Sequence, residues 1–396
     1  MGARGRFAAV AAAAALAWWW RRRERERIRG LARQLARRGW VRVRCGRPKV
    51  EAWAAFEAVA VKAWTKVLPT FLLGDVATWP VVPTGRAHAY TLVGATTDAS
   101  QIAFQIRLWH DHYEAQAVVT ALVSDLRFEG CASVWGWRAT PWRLWALLTF
   151  DPRAVACLPR AVAHRLGGNS GIDGALIDGE LNGWGITLFP TPDTLPGEAT
   201  PRHAHLDGGR CSTFERHGLT SLDAFLADQV AIAFYCCTPG DLDVARGATA
   251  VYDGSHLIVA AALRAALRDE PLEWDTIHTA IKEADCGALG GLRVQPALRD
   301  GEMLVVSGAT VHGAMFAQEA MTGPRPRVLM NPKCYASDAG VFAAALVSSP
   351  LTRVRDDPRA LWVEAGRSGE DFDRRVEAFG RALAAHPPGV RDAPRT

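Results

Sequence analysis

The chain has 396 residues, 49% of them hydrophobic and 22% charged, a globular composition that excludes disordered, collagen-like and coiled-coil proteins. Its net charge of +5 is unevenly distributed along the chain. Residues 1–44 hold thirteen Arg and two acidic residues, and the other residues hold 33 basic and 39 acidic residues. At −6, the rest of the chain lacks the positive charge of a dedicated nucleic-acid-binding protein, and we expect no nucleic-acid partner.

Residues 1–44 form a basic and hydrophobic N-terminal segment. Fourteen apolar residues, Phe7 to Trp20, follow Arg4 and Arg6 and precede an arginine-rich stretch. A helix of this length is shorter than the core of a bilayer. The run fits either a signal peptide, with Ala15-Leu16-Ala17 as a small-x-small cleavage site, or a short signal anchor.

The second half of this segment has a helical pattern. Ile28, Leu31 and Leu35 repeat at helical spacing among arginines, which favours an organelle transit peptide or a membrane-surface helix, although residues 1–44 contain no Ser. We expect a targeting or anchoring role with membrane contact through residues 7–38. The location would then be organellar or membrane-associated, and otherwise cytoplasmic. We therefore leave residues 1–44 out of the predicted fold.

The rest of the chain divides into three regions. Residues 45–178 are predicted to be an α-rich support region that begins with a helix over residues 50–68. Residues 179–340 contain short β-type runs, and residues 341–396 are predicted to form a polar helix pair at 354–385 and a tail.

The β-rich region carries turn dipeptides such as Asp253-Gly254 and Asp300-Gly301 between its apolar runs. One helical stretch, residues 259–285, interrupts it. Many short strands with tight turns predict an antiparallel sandwich or barrel of the jelly-roll kind. The strands are predicted at residues 184–189, 230–238, 248–252, 292–298, 303–307 and 327–330.

One pattern in this region carries chemistry. His205 and Asp207 stand two residues apart at the end of an extended stretch, where side chains at i and i+2 share a face. His312 follows an apolar strand and supplies a second imidazole. Two His and one carboxylate leave coordination positions open, as in non-haem Fe(II) oxygenases. Zinc hydrolysis would use the same ligands.

Four motifs in order resemble the phytanoyl-CoA dioxygenase family of Fe(II)/2-oxoglutarate-dependent oxygenases. They are His205-x-Asp207, Gly247-Ala-Thr-Ala-Val-Tyr-Asp-Gly-Ser-His256, Gly301-Glu-Met-Leu-Val-Val-Ser-Gly-Ala-Thr-Val-His-Gly313, and an Arg that opens a strand at Arg327. The resemblance covers about residues 180–335. It implies a mainly β fold with flanking helices, a double-stranded β-helix of the jelly-roll or cupin-like kind.

The resemblance also implies a site. His205, Asp207 and His312 would bind iron, and an Arg after His312 would pair with the distal carboxylate of 2-oxoglutarate. Arg327 is the first choice and Arg325 the alternative, since alternate residues of an extended segment share a face. A planar, permanently charged guanidinium suits a buried carboxylate. Molecular oxygen is the remaining co-substrate.

The sequence departs from the family pattern at three places. Ala314 stands where Ser is common, Asp253 stands where Pro is usual, and residues 313–326 lack the customary Asn and Ser. The metal triad is intact, whereas the surroundings of the 2-oxoglutarate site are altered. We interpret Ser255 and His256 as structural hydrogen-bonding residues and not as metal ligands.

The predicted function is hydroxylation of a C–H bond of a small organic or acyl substrate, with release of succinate and CO2. Retention of Asp207 favours hydroxylation over halogenation, because halogenating relatives replace that carboxylate. The alternative is a non-catalytic jelly-roll binding protein that its N-terminal segment tethers to a membrane.

Overall fold

The computed structural model describes residues 3–44, 90–93, 105–108, 186–189, 202–206, 219–228, 231–236, 243–244, 248–268, 271–284, 287–299, 302–314, 327–330, 333–334 and 350–386. The helices are α1 (Ala3–Arg38), α2 (Leu222–Asp228), α3 (Ser255–Ala266), α4 (Trp274–Ala284), α5 (Pro350–Asp356), α6 (Pro358–Glu364) and α7 (Gly369–Ala384). The helix predicted over residues 50–68 lies outside these ranges, as does most of the predicted support region.

The described strands form two antiparallel sheets. The larger has the order β1-β9-β6-β11-β4-β3-β2, with β12 also paired to β6, and the smaller has the order β5-β10-β7-β8. The strands are β1 (Trp40–Arg44), β2 (Tyr90–Val93), β3 (Gln105–Leu108), β4 (Ile186–Phe189), β5 (Arg202–His205), β6 (Ala231–Cys236), β7 (Ala250–Tyr252), β8 (Arg293–Val294), β9 (Glu302–Val306), β10 (His312–Ala314), β11 (Arg327–Met330) and β12 (Lys333–Cys334). The prediction of antiparallel sheets accompanied by helices is confirmed.

The N-terminal segment is part of this fold, which corrects its exclusion from the predicted fold. Strand β1 pairs with β9 along its whole length, from Trp40 opposite Val306 to Arg44 opposite Glu302. The end of α1 is also buried, with Ile28 and Leu35 in contact with the body of the protein. A helical apolar stripe in the sequence does not distinguish a lipid surface from a protein surface, and here protein covers its second half.

A core cluster joins the two sheets. Trp40 of β1 and Leu304 of β9 pack with Val251 of β7, and Val294 of β8 lies against them. Burial of such side chains contributes about 1.5–3 kcal/mol each, so this cluster holds the smaller sheet against the larger one. The N-terminal strand is thus one of the elements that position the smaller sheet.

The C-terminal helices cover the side of α3 and α4. Helix α7 contacts both, and its buried side chains are Phe372, Phe379 and Leu383. Ser368 caps its first turn by accepting hydrogen bonds from the backbone N–H groups of Glu370 and Asp371. The sequence predicts a polar helix pair here, whereas the structure has three amphipathic helices, α5 to α7, that bury one face.

Candidate metal centre

The two imidazoles predicted as iron ligands lie side by side. His205 ends β5, His312 begins β10, and the two residues are paired across these antiparallel strands. Their ring centroids are 4.5 Å apart and the rings are tilted by 50°. Residues 107 positions apart in the chain are therefore brought together by strand pairing, and the side chains of both are presented at the same end of the smaller sheet.

His312 has a defined tautomer. The ring is 2% exposed, and its Nδ1 lies 3.0 Å from the carbonyl oxygen of Thr310. A carbonyl oxygen only accepts, so Nδ1 carries the proton and donates it. The lone pair is consequently on Nε2, which is the form of imidazole that binds metal ions.

Thr310 is itself hydrogen-bonded to the tight turn at Gly39, between α1 and β1. Its hydroxyl donates to the carbonyl oxygen of Gly39 at 2.9 Å, and the N–H of Ser307 donates to the same oxygen at 2.8 Å. Gly39 has a φ of 80°, and a Cβ there would lie 2.2 Å from Thr310 Oγ1. Only glycine fits this turn, and through it the N-terminal segment reaches the backbone that orients His312.

A third histidine, His278, is hydrogen-bonded to the backbone next to His205. His278 of α4 donates from Nε2 to the carbonyl oxygen of Leu206 at 3.1 Å, and its ring lies 4.8 Å from that of Trp274. Leu206 is buried and stands between His205 and Asp207. The sequence carries no metal-type spacing for His278, and the bond joins residues 72 positions apart, so no local pattern indicates it.

The remaining predicted site residues are described in part or not at all. Asp207 and Arg325 lie outside the described residues. The backbone of Arg327 begins β11, opposite Phe189 of β4. Within the described ranges no group of three His, Cys, Asp or Glu could hold a metal ion, and the predicted carboxylate is not among those residues. The three-residue ligand set stays a prediction, and the pairing of its two imidazoles is observed.

Ser255 and His256 have the structural roles predicted for them. Ser255 Oγ accepts a hydrogen bond from the N–H of Val311 at 2.9 Å. His256 is fully buried and donates from Nε2 to the carbonyl oxygen of Ala36 at 2.8 Å. Burial lowers the pKa of His256 to about 4, because the charged ring would lose its hydration. Both side chains therefore fasten neighbouring segments around the strand that carries His312.

Asp253, one of the departures from the family pattern, joins the two ends of the chain. Its Oδ1 accepts hydrogen bonds from Arg38 Nε at 2.9 Å and from Trp40 Nε1 at 2.8 Å, and its Oδ2 pairs with Arg367. The guanidinium of Arg367 also stacks on the ring of Trp362, 4.3 Å from its centroid. The carboxylate thus ties the start of β1 and the loop before α7 to the turn before α3.

Comparison with known proteins gives weak structural likenesses. No family model and no curated protein matches the chain. One similar structure is the non-heme alpha ketoglutarate dependent epimerase SnoN from nogalamycin biosynthesis, with 15% identity, a TM-score of 0.35, and coverage of 77% of this chain and 81% of that chain. Another is the non-heme alpha ketoglutarate dependent carbocyclase SnoK from the same biosynthesis, with 15% identity, a TM-score of 0.29, and coverage of 76% and 81%.

TM-scores below 0.5 do not establish a shared fold. The function proposed below therefore rests on the strand pairing and on the two histidines.

Proposed function

We propose that this protein is an Fe(II)/2-oxoglutarate-dependent oxygenase built on a double-stranded β-helix. The observation that carries the proposal is the pairing of His205 with His312, which brings two imidazoles to a 4.5 Å centroid separation. The Nδ1 bond of His312 to Thr310 adds the tautomer that a metal requires.

The order of the strands supports the fold. Along the described strands from β4 to β11 the chain passes repeatedly from one sheet to the other, and only the consecutive strands β7 and β8 stay in the same sheet. Strands β4, β6, β9 and β11 lie in the larger sheet and β5, β7, β8 and β10 in the smaller. Two four-stranded sheets connected in this way, β9-β6-β11-β4 and β5-β10-β7-β8, support the proposed jelly roll, which has eight strands in two sheets. Strands β1, β2, β3 and β12 then extend the larger sheet.

The donor set suits ferrous iron. Two imidazoles come from His205 and His312, and Asp207, two residues after His205, would supply the carboxylate. This combination leaves coordination positions for a bidentate keto acid and oxygen. Arg327, or Arg325 two residues before it, would pair with the distal carboxylate of 2-oxoglutarate.

When bound, iron with 2-oxoglutarate and oxygen would supply hydroxylation of a C–H bond, with release of succinate and CO2. The chain's own residues would hold and orient these groups and exclude water. His312 and the residues on either side of it, Val311 and Gly313, are buried, which suits a site closed to bulk solvent. The substrate would be a small organic or acyl compound, and retention of the carboxylate at Asp207 favours its hydroxylation over its halogenation.

The test is metal and co-substrate binding by the full-length protein under anaerobic conditions. We expect Fe(II), or Co(II) as a spectroscopic substitute, to bind in a 1:1 ratio, and 2-oxoglutarate to perturb the metal spectrum. His205→Ala and His312→Ala should each abolish binding. His386→Ala is the matched control, because this histidine lies at the surface beside Glu283.

The outcomes separate the proposed function from its competitors. Slow succinate formation that needs both oxygen and 2-oxoglutarate supports the oxygenase. Absence of metal binding by the unaltered protein would favour the non-catalytic binding protein. Activity that needs neither oxygen nor keto acid would indicate a zinc-type hydrolase on the same ligands.

A further inference from the structure

Helix α1 has two parts with different surroundings. From Ile28 to Arg38 the helix packs on the body of the protein, against α3, α5 and α6. All the side chains of residues 11–19 are exposed, and Leu16, Trp18 and Trp19 are 64%, 62% and 48% exposed. An apolar stretch of this size in water is a mark of an interaction surface.

Charged groups flank the apolar part at its C-terminal end. The guanidinium carbon of Arg22 lies 5.5 Å from the ring centroid of Trp18, and that of Arg23 lies 5.1 Å from the ring centroid of Trp19. Residues 21–29 hold six arginines against two glutamates. Indole rings with guanidinium groups beside them suit the boundary between acyl chains and lipid headgroups.

The length of the apolar part limits what it can do in a bilayer. Among the helices of the described residues, none is long and apolar enough to cross a membrane. Residues 7–20 would extend about 21 Å as a helix, against a hydrocarbon core of about 30 Å. The part is therefore suited to enter one side of a membrane and not to span it.

We propose that residues 7–23 of α1 dock on an anionic membrane, with the apolar turns inserted below the headgroups and Arg22 and Arg23 against lipid phosphates. The run of alanines from Ala11 to Ala15 has only methyl side chains, which offer little shape for a protein partner to complement. Such a surface is better suited to the fluid acyl chains of a membrane. The positive band complements negatively charged lipid. From Ile28 onward, the apolar side of the helix is buried by protein. Membrane contact is therefore restricted to the exposed part of the helix before Ile28.

The experiment is flotation of the full-length protein with vesicles of phosphatidylcholine alone and of phosphatidylcholine mixed with phosphatidylglycerol. We expect binding to the mixed vesicles that falls as salt is added. Replacing Arg22 and Arg23 by Ala should weaken binding roughly fivefold for each arginine. Trp18→Ala with Trp19→Ala should weaken it on the order of tenfold, because less apolar surface enters the bilayer.

Val363→Ala is the matched control, since Val363 is 47% exposed on another helix and should bind as the unaltered protein does. Alanine favours the helix, so circular dichroism of all variants should be unchanged. The proposal is overturned if the mixed vesicles capture no protein, or if the tryptophan variant binds them equally well. It is also overturned if sedimentation detects self-association that the tryptophan variant abolishes, since a second copy would then cover this surface. None of these readouts depends on iron, so they are independent of the proposed enzymatic function.

Discussion

The side chain of His278 donates a hydrogen bond to the carbonyl oxygen of Leu206, at 3.1 Å, and so fixes the peptide between His205 and Asp207. Replacing His278 by Phe removes this donor and should weaken Co(II) or Fe(II) binding about tenfold, as loss of supporting hydrogen bonds does at metal sites. His278→Gln keeps a donor at a similar reach and should restore most of the affinity. Anaerobic metal titration measures both; equal affinities for Phe and Gln would mean that the bond has no positioning role.

The turn at Gly39 should tolerate no side chain. Gly39→Ala would place Cβ 2.2 Å from Thr310 Oγ1 on a backbone with φ of 80°, and we expect a loss of about 3 kcal/mol in the free energy of unfolding. The control is Gly380→Ala in α7, where a Cβ meets nothing within 4 Å. Alanine should there raise stability by about 0.5–1 kcal/mol. Urea denaturation compares the two, and changes of the same sign would contradict the prediction.

Protonation of His256 should destabilise the fold at acidic pH. Its pKa is about 4 in the folded protein, against 6.5 for an ordinary imidazole, because burial, helped by the positive charge of Arg367, outweighs the bond to Ala36 and the negative charge of Asp253. The folded state therefore binds fewer protons than the unfolded state between these values. This contribution is fully present above pH 6.5 and is lost as pH falls to 4, by about 3 kcal/mol.

Unfolding free energies across pH 7 to pH 4 measure this contribution. His256→Gln keeps a donor for the carbonyl oxygen of Ala36. It should reduce the slope of the unfolding free energy against pH in this window, because up to one fewer proton is taken up on unfolding. A slope that His256→Gln does not change would assign the acid sensitivity to other groups.

The carboxylate of Asp253 should contribute more to stability than surface carboxylates do. Asp253→Asn leaves Arg38 and the half-buried Arg367 without their shared negative partner, and we expect a loss of about 2 kcal/mol. Asp373→Asn removes an exposed pair with Arg359, which water screens, and should leave the free energy of unfolding almost unchanged. Thermal or chemical unfolding of the two variants decides the matter, and equal losses would contradict this assignment.

The sequence predicts six of the nine strands that the structure describes between residues 186 and 334, because those six lie in short apolar runs between turn residues. Strands β5, β10 and β12 are short and not apolar, and they are not among the predicted strands. Strand β11 occupies residues 327–330 as predicted, and β9 differs from its predicted range by one residue at each end. The single helix predicted over residues 259–285 is two helices, α3 and α4. Pro271 lies between them, and proline is disfavoured inside a helix.

At the site, the sequence predicts the two histidines but not what orients them. His205 and His312 stand in recognisable motifs, and strand pairing brings them together. The supports from Gly39 and His278 come from residues 271 and 72 positions away from their partners. Contacts at such separations leave no periodicity or spacing in the chain, so only the folded structure reveals them.

The carboxylate of Asp253 has a consequence for the order in which the protein is made. It holds Arg38, near the beginning of the chain, and Arg367, near the end. Strand β1 likewise pairs with β9, which begins only at Glu302. During synthesis on the ribosome, β1 would therefore pair with β9 only after residues 302–306 have emerged. The ion pair between Asp253 and Arg367 would form only after residue 367 leaves the exit tunnel.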